Sequence, residues 1–131
     1  MRCTLFHPPR PGATNTVPPL GLLSLASVLE ANGHRAVLVD AALSGETGSA
    51  LRETLKKTDP EILLITAFSS DVAVLRSELP GIRRELGNIP FLLGGPHSSC
   101  RGLEALSDLP EADTVFLGEA EETLPRFLEA P

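Results

Sequence analysis

Tryptophan and tyrosine are both absent and phenylalanine numbers five, so a ligand held by stacking between aromatic planes would find very few residues to use. Cysteine occurs only at Cys3 and Cys100, in no repeated pattern, which excludes a disulfide framework and makes a reducing cytoplasm the expected setting. No apolar run approaches the roughly 20 residues of a membrane span. The opening MRCTLFHPPRPG also lacks an apolar stretch of signal-peptide length. The 11 basic residues are scattered and the net charge is -6, so the basic stripe that a phosphate backbone requires is missing. Neither nucleic acid nor membrane is an expected partner.

What is present suits one ordinary core. Over 131 residues, 42% are hydrophobic and 21% charged, and a single domain over residues 1–131 is expected. Five short apolar runs, CTLFH, RAVLVD, EILLITAF, PFLLGG and TVFLGE, alternate with helix-like segments. Four of them are apolar through their centres, as parallel strands covered on both faces are. The expected fold class is therefore α/β: a flavodoxin-like (Rossmann-like), doubly wound five-stranded parallel sheet of order 2-1-3-4-5, with helices on both faces.

The first helix is expected to start near Thr16 or Val17, with Pro18 and Pro19 in its opening turn, and to stop at Gly33. Its polar residues, Ser24, Ser27 and Glu30, form only a narrow stripe. A surface helix is expected over Thr47 to Lys57. A third follows a cap among Ser69, Ser70 and Asp71 and continues to Leu86, bent at Pro80. A short fourth spans Gly102 to Leu106, and the last Ala120 to Leu128.

Ligands of an open parallel sheet bind beyond the carboxyl ends of its strands, where the strand order reverses. Those loops are His7 to Thr16, Thr66 to Ser70, Gly94 to Ser99 and Gly118 to Glu121. A phosphate-accepting receiver would need acidic residues after strand one, an aspartate after strand three and a lysine after strand five; the chain has HPP, TAF and GEA there. Neither the G-x-G-x-x-G dinucleotide motif nor a P-loop occurs. A flavodoxin-like flavin- or nucleotide-binding domain stays open as the alternative, since PGATNT suits a hydroxyl-rich phosphate loop although aromatic faces are lacking.

Three segments, PPLGLLSLASVLEANGH, LLGGPHSS and DTVFLGEAEETLPRFLE, resemble the cobalamin-binding domain found ahead of radical SAM cores, and the resemblance spans essentially the whole chain. It implies a corrin ring over the carboxyl edge of the sheet and a nucleotide tail, detached from cobalt, in a channel beside the strands. Gly94 and Gly95 match the paired glycines, where a Cβ would fill space the tail needs. Thr66, Ser69 and Ser70 match hydroxyls that contact the tail, and Gly118 and Glu119 its strand-five loop. The remaining cofactor contacts it implies are His7, Pro8, Pro19, Leu20, Gly21, Pro96 and His97. Each also has a plain structural reading: a strand-ending turn for the glycine pair, helix caps for the hydroxyls, a turn before a helix for Gly118 and Glu119.

Methionine-synthase-like cobalamin domains carry D-x-H-x-x-G after strand one, with the histidine on cobalt. Here LFHPPR has Leu5 in place of the aspartate and Arg10 in place of the glycine. A metal-bound histidine normally has such a partner, so neither His7 nor His97 is expected to ligate a metal. The resemblance implies cobalt without a protein histidine. The C-x-x-x-C-x-x-C motif that holds an iron–sulfur cluster is missing. No catalytic residue is expected in this chain. The resemblance implies S-adenosylmethionine and a [4Fe-4S] cluster on a radical SAM catalytic domain acting in cis or in trans, the whole serving as a methyltransferase system.

Overall fold

The computed structural model describes residues 1–13 and 17–130; the expected helix start at Thr16 and the 14–16 end of the first loop lie outside the described residues. The elements are β1 (Arg2–His7), α1 (Leu20–Ala31), β2 (Arg35–Asp40), α2 (Ala41–Ser44), α3 (Gly48–Lys57), β3 (Ile62–Thr66), a 3-10 turn (Ser69–Asp71), α4 (Val72–Leu86), β4 (Phe91–Gly94), α5 (Pro96–Arg101), a second 3-10 turn (Gly102–Glu104), α6 (Ala105–Asp108), β5 (Thr114–Val115) and α7 (Thr123–Glu129). The strands form one parallel sheet in the order β2-β1-β3-β4-β5.

Side chains alternate across the sheet with a period of two, so each strand feeds two apolar layers. Phe6, Leu63, Ile65, Phe91 and Leu93 pack with Leu51 and Leu55 of α3 and Leu75, Leu79 and Ile82 of α4. Cys3, Leu5, Ile62, Leu64 and Leu92 pack with Leu22 and Leu29 of α1 and Leu124 of α7. Covering on both faces explains why the strands read as unbroken apolar runs.

Helix boundaries depart from expectation where proline and glycine act. Pro18 and Pro19 precede α1 instead of lying in its first turn: Pro18, itself before a proline, is driven out of the helical region, and Pro19, at φ −78° and ψ 78°, is the non-helical residue at which α1 starts. At the other end Gly33, at φ +85°, lets His34 N–H reach back to Leu29 O at 3.0 Å. α5 starts directly after Gly95, with Pro96 in its first turn. The expected 94–99 loop is therefore largely helical, and the expected fourth helix resolves into the second 3-10 turn and α6. The last helix begins at Thr123, which keeps Pro125 within the first turn where its missing N–H is harmless. Asp71, not Ser70, caps the 3-10 turn before α4: its carboxylate accepts from Phe68 N–H at 2.9 Å.

Candidate functional site

The strand order turns back between β1 and β3, and two cavities open at the carboxyl edge, the second at that turning point and the first beside it over β3 and β4. The first, of about 250 Å³, lies between α1, the ends of β3 and β4 and the segment leading to α7. Its walls include Leu22, Leu25, Leu64, Leu92, Phe116 and Leu124, with Thr66, Gly94, Gly95, Gly118, Glu119 and Glu121 also lining it. The second, of about 500 Å³, is lined by His7, Arg10, Phe68, Pro96 and the chain from Val17 to Leu22. Both touch Gly21, Leu22, Thr66 and Gly95, so they adjoin. Among the described residues no basic side chain lines the first cavity, a poor match to a polyphosphate and a better one to an uncharged ligand.

The two glycines do different things. Gly94 is paired with Thr66 across β3 and β4, and a Cβ on it would meet nothing within 4 Å; it would stand in the cavity. Gly95 has φ +95° and ψ −176°, a conformation essentially reserved for glycine. A Cβ there would lie 2.6 Å from Thr66 Oγ1 and 2.9 Å from Ala67 N. The chain's own backbone requires Gly95, whereas Gly94 leaves space open to the cavity.

Of the residues singled out from sequence, Gly94, Gly118 and Glu119 line the first cavity, His7, Pro19, Leu20 and Pro96 the second, and Gly21, Thr66 and Gly95 both. Pro8, Ser69, Ser70 and His97 line neither. Pro8 is buried, while Ser69 and Ser70 are exposed on the 3-10 turn. His97 is buried, its Nδ1 3.0 Å from Ser69 Oγ and its Nε2 2.9 Å from Asp108 Oδ2. Asp108 is held by Arg101 at 3.0 and 3.2 Å. That guanidinium, and then His97, keep its carboxyl below the usual carboxylate range. An ionised Asp108 only accepts, so in the neutral imidazole Nε2 carries the proton and Ser69 O–H donates to Nδ1. The relay ties α5 to the turn before α4.

The expectation that His7 lacks an orienting acid does not hold. Its Nδ1 is 2.8 Å from Asp40 Oδ1. The acid comes from the end of β2, opposite His7 in the parallel register, and not from two positions earlier in β1. Arg10, Phe68 and Glu121 fall in the loops expected to meet a ligand but were not singled out as contacts, and Phe116 was missed. Phe116 follows β5 in TVFLGE and was visible only as part of an apolar run.

Comparison with known proteins decides the family. Residues 12–128 match the model of the B12 binding domain. The chain belongs to the B12-binding domain family. This B12-binding domain is 31% identical over 138 residues, 99% of the chain, to the anaerobic magnesium-protoporphyrin IX monomethyl ester cyclase of Synechocystis, of which it covers 28%. It is 30% identical over 135 residues to an uncharacterized methyltransferase of Pyrococcus horikoshii, covering 99% of the chain and 29% of the relative. The chain thus spans less than a third of the length of these curated relatives. Its fold matches the radical S-adenosylmethionine methyltransferase TsrM of Kitasatospora setae with cobalamin and a [4Fe-4S] cluster bound. There the TM-score is 0.81 at 19% identity, over 98% of this chain and 26% of that one.

Proposed function

We propose that this B12-binding domain holds cobalamin over the carboxyl edge of its sheet, with the nucleotide tail, detached from cobalt, in the cavity beside β3 and β4. The observation that carries the reading is Gly94: its missing side chain leaves open a mainly apolar cavity over the ends of β3 and β4, and among the described residues no basic group lines it. Apolar walls suit a flat heterocycle, and Thr66 with nearby backbone groups suits carboxamides, which both donate and accept. Gly21, Gly94 and Gly118 keep the walls apart, since a Cβ on any of them would meet nothing within 4 Å. Bound cobalamin supplies a cobalt centre that carries a methyl group between a donor and an acceptor.

Incubation with hydroxocobalamin followed by desalting tests this. Wild type is expected to retain corrin absorbance. Gly94→Val is expected to lose at least about ten-fold in affinity, on the order of 1.4 kcal/mol, with its urea unfolding midpoint little changed. A folded Gly94→Val that binds as wild type does would overturn the site, and retained flavin in place of corrin would overturn the reading.

The relatives' length supports a second element: a radical SAM catalytic domain, in cis or in trans, that carries S-adenosylmethionine and a [4Fe-4S] cluster and completes a methyltransferase system. In the segments that follow β1, β3 and β5 at the carboxyl edge, Val17, Leu20, Phe68 and Leu117 are exposed at 65%, 70%, 48% and 59%. The narrow polar stripe of α1 is not explained by burial within this chain alone, because Leu20 and Leu23 remain outside. Exposed apolar groups gathered near one site mark an interaction surface. Co-purification with the downstream segment or encoded neighbour, weakened by Leu20→Arg, is the expected result; association untouched by Leu20→Arg and Leu117→Arg counts against this edge.

A further inference from the structure

We propose that Ser69 is a nucleophile for acyl transfer from small esters, with His97 as its general base and Asp108 as the positioning residue behind it. The three side chains stand in the order this chemistry needs: Ser69 Oγ is 3.0 Å from His97 Nδ1, and His97 Nε2 is 2.9 Å from Asp108 Oδ2. Ser69 is exposed and His97 only 5% exposed, so a reagent can reach the hydroxyl while the base stays sheltered from water. With the proton of the neutral imidazole on Nε2, toward Asp108, the lone pair of Nδ1 faces the hydroxyl. That is the tautomer able to take the Ser69 proton.

The base and its acid are both fixed. His97 N–H donates to Ala67 O at 2.9 Å, which seats the residue against the end of β3. Asp108 is held at its carboxylate by Arg101 and at its backbone carbonyl by Arg76 Nε at 2.9 Å. The fold closes here without Ser69: Asp71 caps the turn and is fastened by Arg10, and Ser99 Oγ ties α5 to the β5 loop by accepting from Gly118 N–H at 2.9 Å. Phe68 and Pro96, the residues before Ser69 and His97, line the second cavity, whose mainly apolar walls suit a short acyl chain. In the step, Ser69 Oγ bonds to the ester carbonyl carbon as its proton passes to His97 Nδ1. The bond from that carbon to the leaving oxygen then breaks, and the alkoxide takes the proton from Nδ1. Water, giving its proton to the same nitrogen, releases the acid and restores the hydroxyl.

A fluorophosphonate probe on the whole chain, with the labelled serines mapped by tandem mass spectrometry, tests this. Ser70, exposed on the same turn, is the internal reference. Ser69 is expected to label on the order of a hundred-fold faster than Ser70, the contribution of a positioned general base. His97→Gln should bring Ser69 down to the Ser70 rate. Asp108→Asn should slow Ser69 by at least about ten-fold, because an amide can donate to Nε2 and drive the ring proton onto Nδ1; Asp108→Glu should restore part of the rate. Far-ultraviolet circular dichroism checks that each variant is folded, and urea-unfolded wild type, in which the two serines should label alike, stands in for any that is not. Equal labelling of the two serines in folded wild type, or Ser69 labelling unchanged in folded His97→Gln or in urea, overturns the inference.

Discussion

Arg10 and Asp71, 61 residues apart, meet through two hydrogen bonds, Nε to Oδ1 at 3.1 Å and Nη2 to Oδ2 at 3.2 Å. The Asp71 side chain is 2% exposed and that of Arg10 28%. This pair fastens the loop after β1 to the start of α4, and so sets one wall of the second cavity. Removing the guanidinium would leave a buried carboxylate with Phe68 N–H as its remaining donor among the described residues.

Arg10→Ala is therefore expected to lower stability by about 1–3 kcal/mol, the penalty for a buried group deprived of its partner. Arg10→Lys should recover little of it, because an ammonium cannot present two parallel donors. Urea titrations of the three proteins check this, and equal midpoints would show that the pair is dispensable.

Gly95→Ala should destabilise by about 1–3 kcal/mol, since it forces a side chain into a glycine-only conformation and against Thr66 and the Ala67 backbone. Gly94→Ala should change stability by no more than about 0.5 kcal/mol, as ordinary surface changes do. Parallel thermal and urea unfolding separates the two; equal losses would contradict the division of roles between them.

Burial pushes the Cys3 thiol above its ordinary range, and Cys3 is 1% exposed, whereas Cys100 is exposed. The thiolate is the reactive form. Iodoacetamide at neutral pH should accordingly alkylate Cys100 in the native protein and reach Cys3 only with unfolding. Peptide mass mapping reads this out, and early labelling of Cys3 would mean that β1 opens locally.

Arg101 and His97 hold Asp108 below the usual carboxylate range. A depressed folded-state value stabilises the fold at pH above the ordinary carboxyl value of about 3.9, and that contribution is lost as pH falls through the lower folded value. Wild type should be more stable than Asp108→Asn at neutral pH, with the gap closing as acid is added. A gap that stayed constant to low pH would show that the carboxylate charge is not what matters. In crystal or solution, Ser69 should also lose its partner when His97 is replaced by Phe, which hydroxyl exchange rates can follow.

Much of the molecule was legible from residues that act locally. Ile62 to Ile65 alternate between the two apolar layers because a strand has a period of two, whatever lies around it. Gly33 ended a helix, and the turn back between strands one and three pointed to the carboxyl edge, where Gly94 and Thr66 line a cavity. Boundaries near Pro19, Pro96 and Pro125 were misplaced by a few residues, because proline's effect depends on which position of the turn it takes. Ser69, Ser70 and Asp71 were offered together as a cap, and it is the Asp71 carboxylate, fixed by Arg10, that takes the place rather than either serine.

By itself the sequence determined the strand count, the two-sided burial and the edge at which the cavities open, since periodicity and glycine and proline punctuation are properties of the local chain. The tertiary structure decided the partners: Asp40 for His7, Asp71 for Arg10, Asp108 for His97. It also decided that Gly94 opens a cavity while Gly95 yields to its own backbone. Hydrogen bonds and steric limits act over a few ångströms, and only folding brings groups 33 or 61 residues apart within that reach.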